Sequence, residues 1–230
     1  MKKIMFNDKY GLTKAVLEGR KTMTRRVIKA PRTMEGKDVY GFSVVKYPRT
    51  GVPIEVMALD ADGAQINNIL PKYNVGEVVA VAQNYKEVFD EFATIVYTQD
   101  KPAPDNFKAF GSHVTIPGTI PGWNNKMFVR ADLMPHQIRI TNVRVERLQD
   151  ISDDDVYKEG FEKDTVNNGW GNYAHHWEAI LVYYDSIGRT REIRSPYPRE
   201  AFAALIDKIS GRGTWESNPW VFVYEFERVK

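Results

Sequence analysis

From Trp220 to Val229 the sequence places Trp220, Phe222, Tyr224 and Phe226 at every second position, so one face of an extended strand is aromatic from end to end. Such a face demands a sheet with a covered side. Further extended stretches precede it: Val39 to Val45, Ile54 to Leu59, Gly76 to Gln83, Phe92 to Thr98, Met127 to Arg130 and Gln137 to Leu148. The turn Asp60-Ala61-Asp62-Gly63 marks the middle pieces as a hairpin insertion. In the last stretch the apolar phase passes from Ile138 and Ile140 to Val143 and Val145, a slip near Asn142 that a β-bulge accommodates. Helical spacing is confined to three segments. One runs from about Lys9 to Glu18, capped by Asn7 or Asp8 and stopped by Gly19. A short one opens at Ser152-Asp153-Asp154-Asp155 and ends at Gly160, and one over Pro198 to Ile209 repeats Phe202, Leu205, Ile206 and Ile209. Four prolines make Pro102 to Asn125 a long irregular loop. With no β-α-β rhythm, these pieces predict an α+β, mainly β fold, an antiparallel sheet curled into a small barrel within one domain over residues 1–230.

Composition narrows the chemistry. The chain lacks cysteine, which excludes disulfides, thiolate zinc sites and cysteine nucleophiles and leaves four histidines and the carboxylates as metal ligands. Of these, adjacent His175 and His176 point apart in any regular element, and His175 with Glu178 finds no third ligand, so neither metal nor cofactor is expected. His136 receives no function. No apolar run reaches membrane-spanning length and Met1 to Asp8 meets charge early, so a cytoplasmic protein without a membrane partner is expected.

Charge is distributed unevenly. Residues 1 to 32 carry ten Lys or Arg against Asp8 and Glu18, a local +8 against an overall +2, which leaves −6 for the remainder. The basic residues culminate in Gly19-Arg20-Lys21-Thr22-Met23-Thr24-Arg25-Arg26, two hydroxyls and a lysine among three arginines at a helix exit. Such a run suits phosphate or another acidic partner, and equally a solvated basic edge. Arginines can grip phosphates in bidentate fashion while Lys21, Thr22, Thr24 and Gln83 read a base edge, and Tyr85, Trp123 and Trp170 offer rings for stacking. Ordinary packing explains the aromatics too.

Four ordered stretches, Leu17 to Ile28, Tyr73 to Val81, Ile138 to Ile151, and Ala203 to Ile209 continuing into Asn218 to Phe226, resemble the ASCH family of the PUA-like superfamily, specifically its phage-associated bacterial branch. Residues 31 to 72, 84 to 125 and 162 to 197 then read as insertions. The resemblance implies a β-barrel with a cleft beside the first helix and, as partner, RNA or a nucleoside or nucleotide. It also implies that some relatives hydrolyse N4-acetylcytidine with a threonine, a lysine and a glutamate, while a ribonuclease role attaches to others. Lys21 and Thr24 match the first two roles. Relatives usually follow the strand after Gly76 with Arg-Glu-Thr, whereas this chain reads Ala82-Gln83-Asn84, neutral where charge is expected.

Three readings follow: an RNA- or nucleoside-binding module using Arg20, Lys21, Thr22, Thr24, Arg25, Arg26, Gln83 and Tyr85; an amidohydrolase in which Thr24 attacks and neutral Lys21 accepts its proton; and a protein-interaction module. All require the basic run and position 83 to converge on one hollow. For the hydrolase a carboxylate is missing, since Gln83 cannot shuttle a proton; Glu77 sits at the strand's start and Glu87 beyond its end.

Overall fold

A computed structural model describes residues 1–90, 121–166, 176–185 and 187–229. The expected strand over Phe92 to Thr98, most of the Pro102 to Asn125 loop, Trp170 and His175 lie outside the described residues. In chain order the strands are β1 (Lys3–Ile4), β2 (Met23–Val27), β3 (Thr33–Met34), β4 (Lys37–Asp38), β5 (Gly41–Lys46), β6 (Pro53–Leu59), β7 (Gln65–Asn68), β8 (Val78–Val81), β9 (Gln137–Arg147), β10 (Glu162–Val166), β11 (His176–Tyr184), β12 (Thr190–Ser195) and β13 (Trp220–Arg228). The helices are α1 (Leu12–Leu17), α2 (Asp153–Lys158), α3 (Pro198–Ser210) and α4 (Thr214–Ser217), and residues 85–90 are also helical. The protein is a mixed α+β structure built mainly of strands.

A five-stranded sheet in the order β1-β8-β9-β13-β2 carries the core. All its strands fall outside 31–72, 84–125 and 162–197, which supply the separate sheets β3-β4, β5-β6-β7 and β10-β11-β12. β8 shows how a short apolar run serves two cores: Val79 and Val81 join the main cluster, while Ala80 and Ala82 pack with Tyr85, Trp123 and Met134 in a second. β13 is likewise covered on both faces, with Val221, Val223, Phe222, Tyr224 and Phe226 all buried. The expected slip in β9 is real, for the pairing jumps from Glu225↔Asn142 to Phe226↔Ile140 and leaves Thr141 over.

Three expectations change. The sheet is not purely antiparallel, because β1 runs parallel to β8, with Lys3 opposite Ala80 and Ile4 opposite Val81. Nor does it close: no ladder joins β1 to β2 among the described residues, although it curls far enough for the Arg26 guanidinium to reach the Met5 carbonyl at 2.5 Å. Met127 to Arg130 is not a strand: it leaves one 3-10 turn, Lys126–Phe128, and passes through extended Val129 and Arg130 into a second, Ala131–Leu133, while the Asn125 side chain caps the first and the Lys3 amine donates to the carbonyls of Met127 and Val129. No helix among the described residues is long and apolar enough to cross a membrane.

Candidate active site

Gly19, at φ +78°, turns the chain out of α1 in a conformation that suits glycine. The next residues are pinned on both sides: the Lys21 amide bonds to the Ala15 carbonyl at 3.0 Å and the Thr22 amide to the Lys158 carbonyl at 2.9 Å. Lys21 is thereby held between the end of α1 and the end of α2 and is only 2% exposed. From there β2 pairs with β13, setting Thr24 opposite Tyr224 and Arg26 opposite Phe222.

Glu159 comes to the same place from the other direction. It is the C-cap of α2, a short helix whose Ser152 side chain accepts from the Asp155 amide and whose first turn carries Asp153, Asp154 and Asp155, where the helix dipole favours them. Gly160 follows at φ +110°, a backbone conformation that suits glycine and turns the chain out of α2 beside Ala15 and Lys21. Glu159 is 5% exposed. Its two oxygens are divided between two buried cations: Oε2 lies 2.5 Å from Lys21 Nζ and Oε1 lies 3.0 Å from Arg25 Nη1. Lys21 Nζ also donates to the Glu159 backbone carbonyl at 2.8 Å.

Arg25 extends the network, its guanidinium reaching Glu146 at 2.8 Å and Asp155 at 2.9 Å. Arg144 bonds the same Asp155 oxygen, together with Glu146 and Glu225. Burial lowers the Lys21 ammonium below the ordinary lysine range; the Glu159 charge and hydrogen bond oppose this, and the charges of Arg26 and Arg25 reinforce it. At Asp155 burial pushes the carboxyl up, but hydrogen bonds from Arg25 and Lys158 and the charges of Arg25 and Arg144 prevail and hold it below the usual range.

These groups border a cavity of about 610 Å³. Lys21, Thr24, Arg25, Arg26 and Glu159 form its polar side, and Leu148, Phe202, Leu205, Ile206 and Val221 contribute an apolar wall. Phe6 joins the two, its ring centre 5.9 Å from Lys21 Nζ and 5.8 Å from the Arg26 guanidinium carbon. An amine, a hydroxyl and a carboxylate thus line one hollow, the group types that nucleophilic attack with proton transfer calls for.

Of the residues singled out in the sequence, Lys21, Thr24, Arg25 and Arg26 meet at this cavity, whereas Gln83 does not line it, so the expected convergence of the basic run with position 83 is not found. Gln83 stands two residues past β8, 4% exposed, with its backbone N–H donating to Met134 Sδ, and its side-chain Oε1 accepts from no described residue. Arg20 turns away to Glu18 at 2.6 Å and Glu162 at 3.1 Å. Thr22 spends its amide on Lys158 and its carbonyl on Phe226. Tyr85 and Trp123 are buried in the second cluster, where the Tyr85 hydroxyl accepts from the Arg130 amide, so neither presents a ring for stacking. Thus two of the three arginines expected to grip phosphate are already paired with the chain's own carboxylates. The sequence of α2 displays its capping residues and its stop at Gly160, and Glu159 does not stand out within it. A signal existed in the Glu-Gly-Phe that ends it, an acidic residue wedged between Val156 and Phe161, both buried. Among the described residues no group of three or more His, Cys, Asp or Glu is placed to hold a metal ion. Compared with protein-family models, curated proteins and solved structures, the chain matches none.

Proposed function

We propose that the protein is an amidohydrolase acting on N4-acylated cytidine-type nucleosides, with Thr24 as nucleophile, Lys21 as proton acceptor and Glu159 as the carboxylate sought at position 83. The observation that carries this reading is the buried Lys21 Nζ held 2.5 Å from Glu159 at a cavity that Thr24 also lines. Thr24 Oγ1 attacks the acyl carbon while its proton passes to neutral Lys21. As the carbon–nitrogen bond breaks, that proton goes to the departing cytosine amine. Water then cleaves the acyl-threonine by the same proton traffic in reverse order, releasing the carboxylic acid. Glu159 keeps the amine in place and balances the charge it acquires. The ASCH resemblance supports the assignment of Lys21 and Thr24, and the curled sheet, open between β1 and β2 beside Phe6, is compatible with a PUA-like barrel whose seam forms the cleft.

The test is incubation of the purified protein with N4-acetylcytidine, with acetate and cytidine quantified by mass spectrometry. Release is expected in the parent, and Lys21→Ala, Thr24→Ala and Glu159→Gln are each expected to lose on the order of 10² to 10⁴ in rate. Absence of acetate from the parent, or an unimpaired Lys21→Ala, overturns the proposal.

A further inference from the structure

A second cavity, of about 360 Å³, adjoins the first, and Arg26, Val27 and Lys29 line both. Its floor is aromatic, made by Tyr73, Phe222 and Tyr224, and its cations are Arg26, Lys29 and Lys72. Among the described residues no acidic one lines it. The three cations make no ion pair with any described carboxylate; Arg26 donates to the Met5 carbonyl, and the Lys72 amine sits 5.4 Å from the Tyr73 ring centre. That sets them apart from Arg20, Lys21 and Arg25, each matched to a carboxylate. Nor do the phenols supply a counter-charge. Burial pushes Tyr73 up to about 12, its hydroxyl donating to the Lys3 carbonyl, and Tyr224 is raised by burial as well, its hydroxyl accepting from the Lys72 amide. The cavity is therefore a positive recess whose charge is left uncompensated by its own walls, one step along β2 from the groups assigned to the chemistry.

We infer that this recess is a phosphate subsite, so that the substrate is a phosphate ester of the acylated nucleoside rather than the free nucleoside. The inference rests on the amidohydrolase reading of the adjoining cavity. Arg26 faces both hollows, so a single ligand can place its acyl-cytosine beside Lys21 and Thr24 and its phosphate among Arg26, Lys29 and Lys72, where charge-assisted hydrogen bonds form.

The experiment compares kcat/KM for N4-acetylcytidine, its 5′-monophosphate and a trinucleotide with the acetylated residue in the centre, in the parent and in the Lys29→Gln/Lys72→Gln double variant. The expected result is a preference of about tenfold or more for a phosphorylated substrate at low ionic strength, falling towards unity in the double variant and as salt screens the charges. A parent ratio near one, or a ratio that the two substitutions leave unchanged, overturns the subsite. A trinucleotide used better than the monophosphate assigns the phosphate to RNA, and the reverse order assigns it to a free nucleotide. Calorimetric binding of cytidine 5′-monophosphate against cytidine, on the same two proteins, separates the two claims. If no substrate releases acetate, the hydrolase reading fails, while a binding preference for the monophosphate that disappears in the double variant still upholds the subsite and equal binding of both ligands rejects it.

Discussion

Replacing Glu159 by Gln keeps the side-chain shape and withdraws the charge facing Lys21. Arg25 retains Glu146 and Asp155, so the loss falls mainly on Lys21, whose remaining partner is the Glu159 carbonyl. At 2.5 Å the lost attraction is about 6–7 kcal/mol for an effective dielectric constant near 20. The lysine can escape by shedding its proton on folding, which costs about 1.4 kcal/mol for each pH unit below its unfolded value near 10.4, or on the order of 5–6 kcal/mol at pH 6. Those figures bound the penalty from above, and about 3–5 kcal/mol is expected at that pH, the range found when one partner of a buried pair is removed. The sign of its pH dependence follows from linkage. In the variant, native Lys21 is neutral while unfolded Lys21 is charged, so the variant gains stability as pH rises; the parent does so only above its own lowered Lys21 value. The penalty should shrink by about 1.4 kcal/mol per unit up to that value and then level off. Urea unfolding followed through the five tryptophans, at intervals between about pH 6 and 9, reads both proteins. A Lys21→Met/Glu159→Gln double variant should recover part of the loss, because no unpaired charge remains. A penalty under about 1 kcal/mol, or one flat across pH, would refute a charge-paired buried lysine.

The pH at which that penalty levels off should coincide with the acid limb of the acetate-release profile, where Lys21 takes up a proton and ceases to act as a base; stopped assays across the same pH range compare the two. Asp155→Asn should cost about 2–4 kcal/mol by urea unfolding near neutrality. Because Asp155 is held below its ordinary value of 3.8, its contribution is present above that pH and lost as pH falls below it, so parent and variant should converge in acid. Gly160→Ala should destabilise by about 1–3 kcal/mol, measured by thermal melting, since alanine resists φ +110° although its methyl would find ordinary contacts with Ala15 and Lys21.

Periodicity made much of the sheet legible: the alternation in β13, the slip in β9 and the hairpin insertion of β5 and β6 follow from local pattern. The start of α1 did not, because Asp8 holds the Thr13 hydroxyl and the Lys126 amine instead of a helix terminus, and Gly11 at φ +66° delays the first turn. Lys21 and Thr24 stand out in the sequence as residues, but the carboxylate that pairs with Lys21 lies at the end of α2 and not along the strand after Gly76. Pairing across 138 positions of chain has no local signature. The charge imbalance did carry the clue. A +8 segment in a chain of +2 requires acid elsewhere, and much of the acid that answers it is internal: Glu159, Asp155 and Glu146 meet Lys21 and Arg25 before any outside anion can. What the walls leave unanswered, at Arg26, Lys29 and Lys72, emerges only once those pairs are removed from the count.

Glu159 grips Lys21 twice, once by its side-chain carboxylate and once by its peptide carbonyl. An amine, charged or neutral, still has a hydrogen for that carbonyl. The nitrogen thus stays moored whether or not it carries its extra proton, and the framework need not rearrange when that proton arrives or departs.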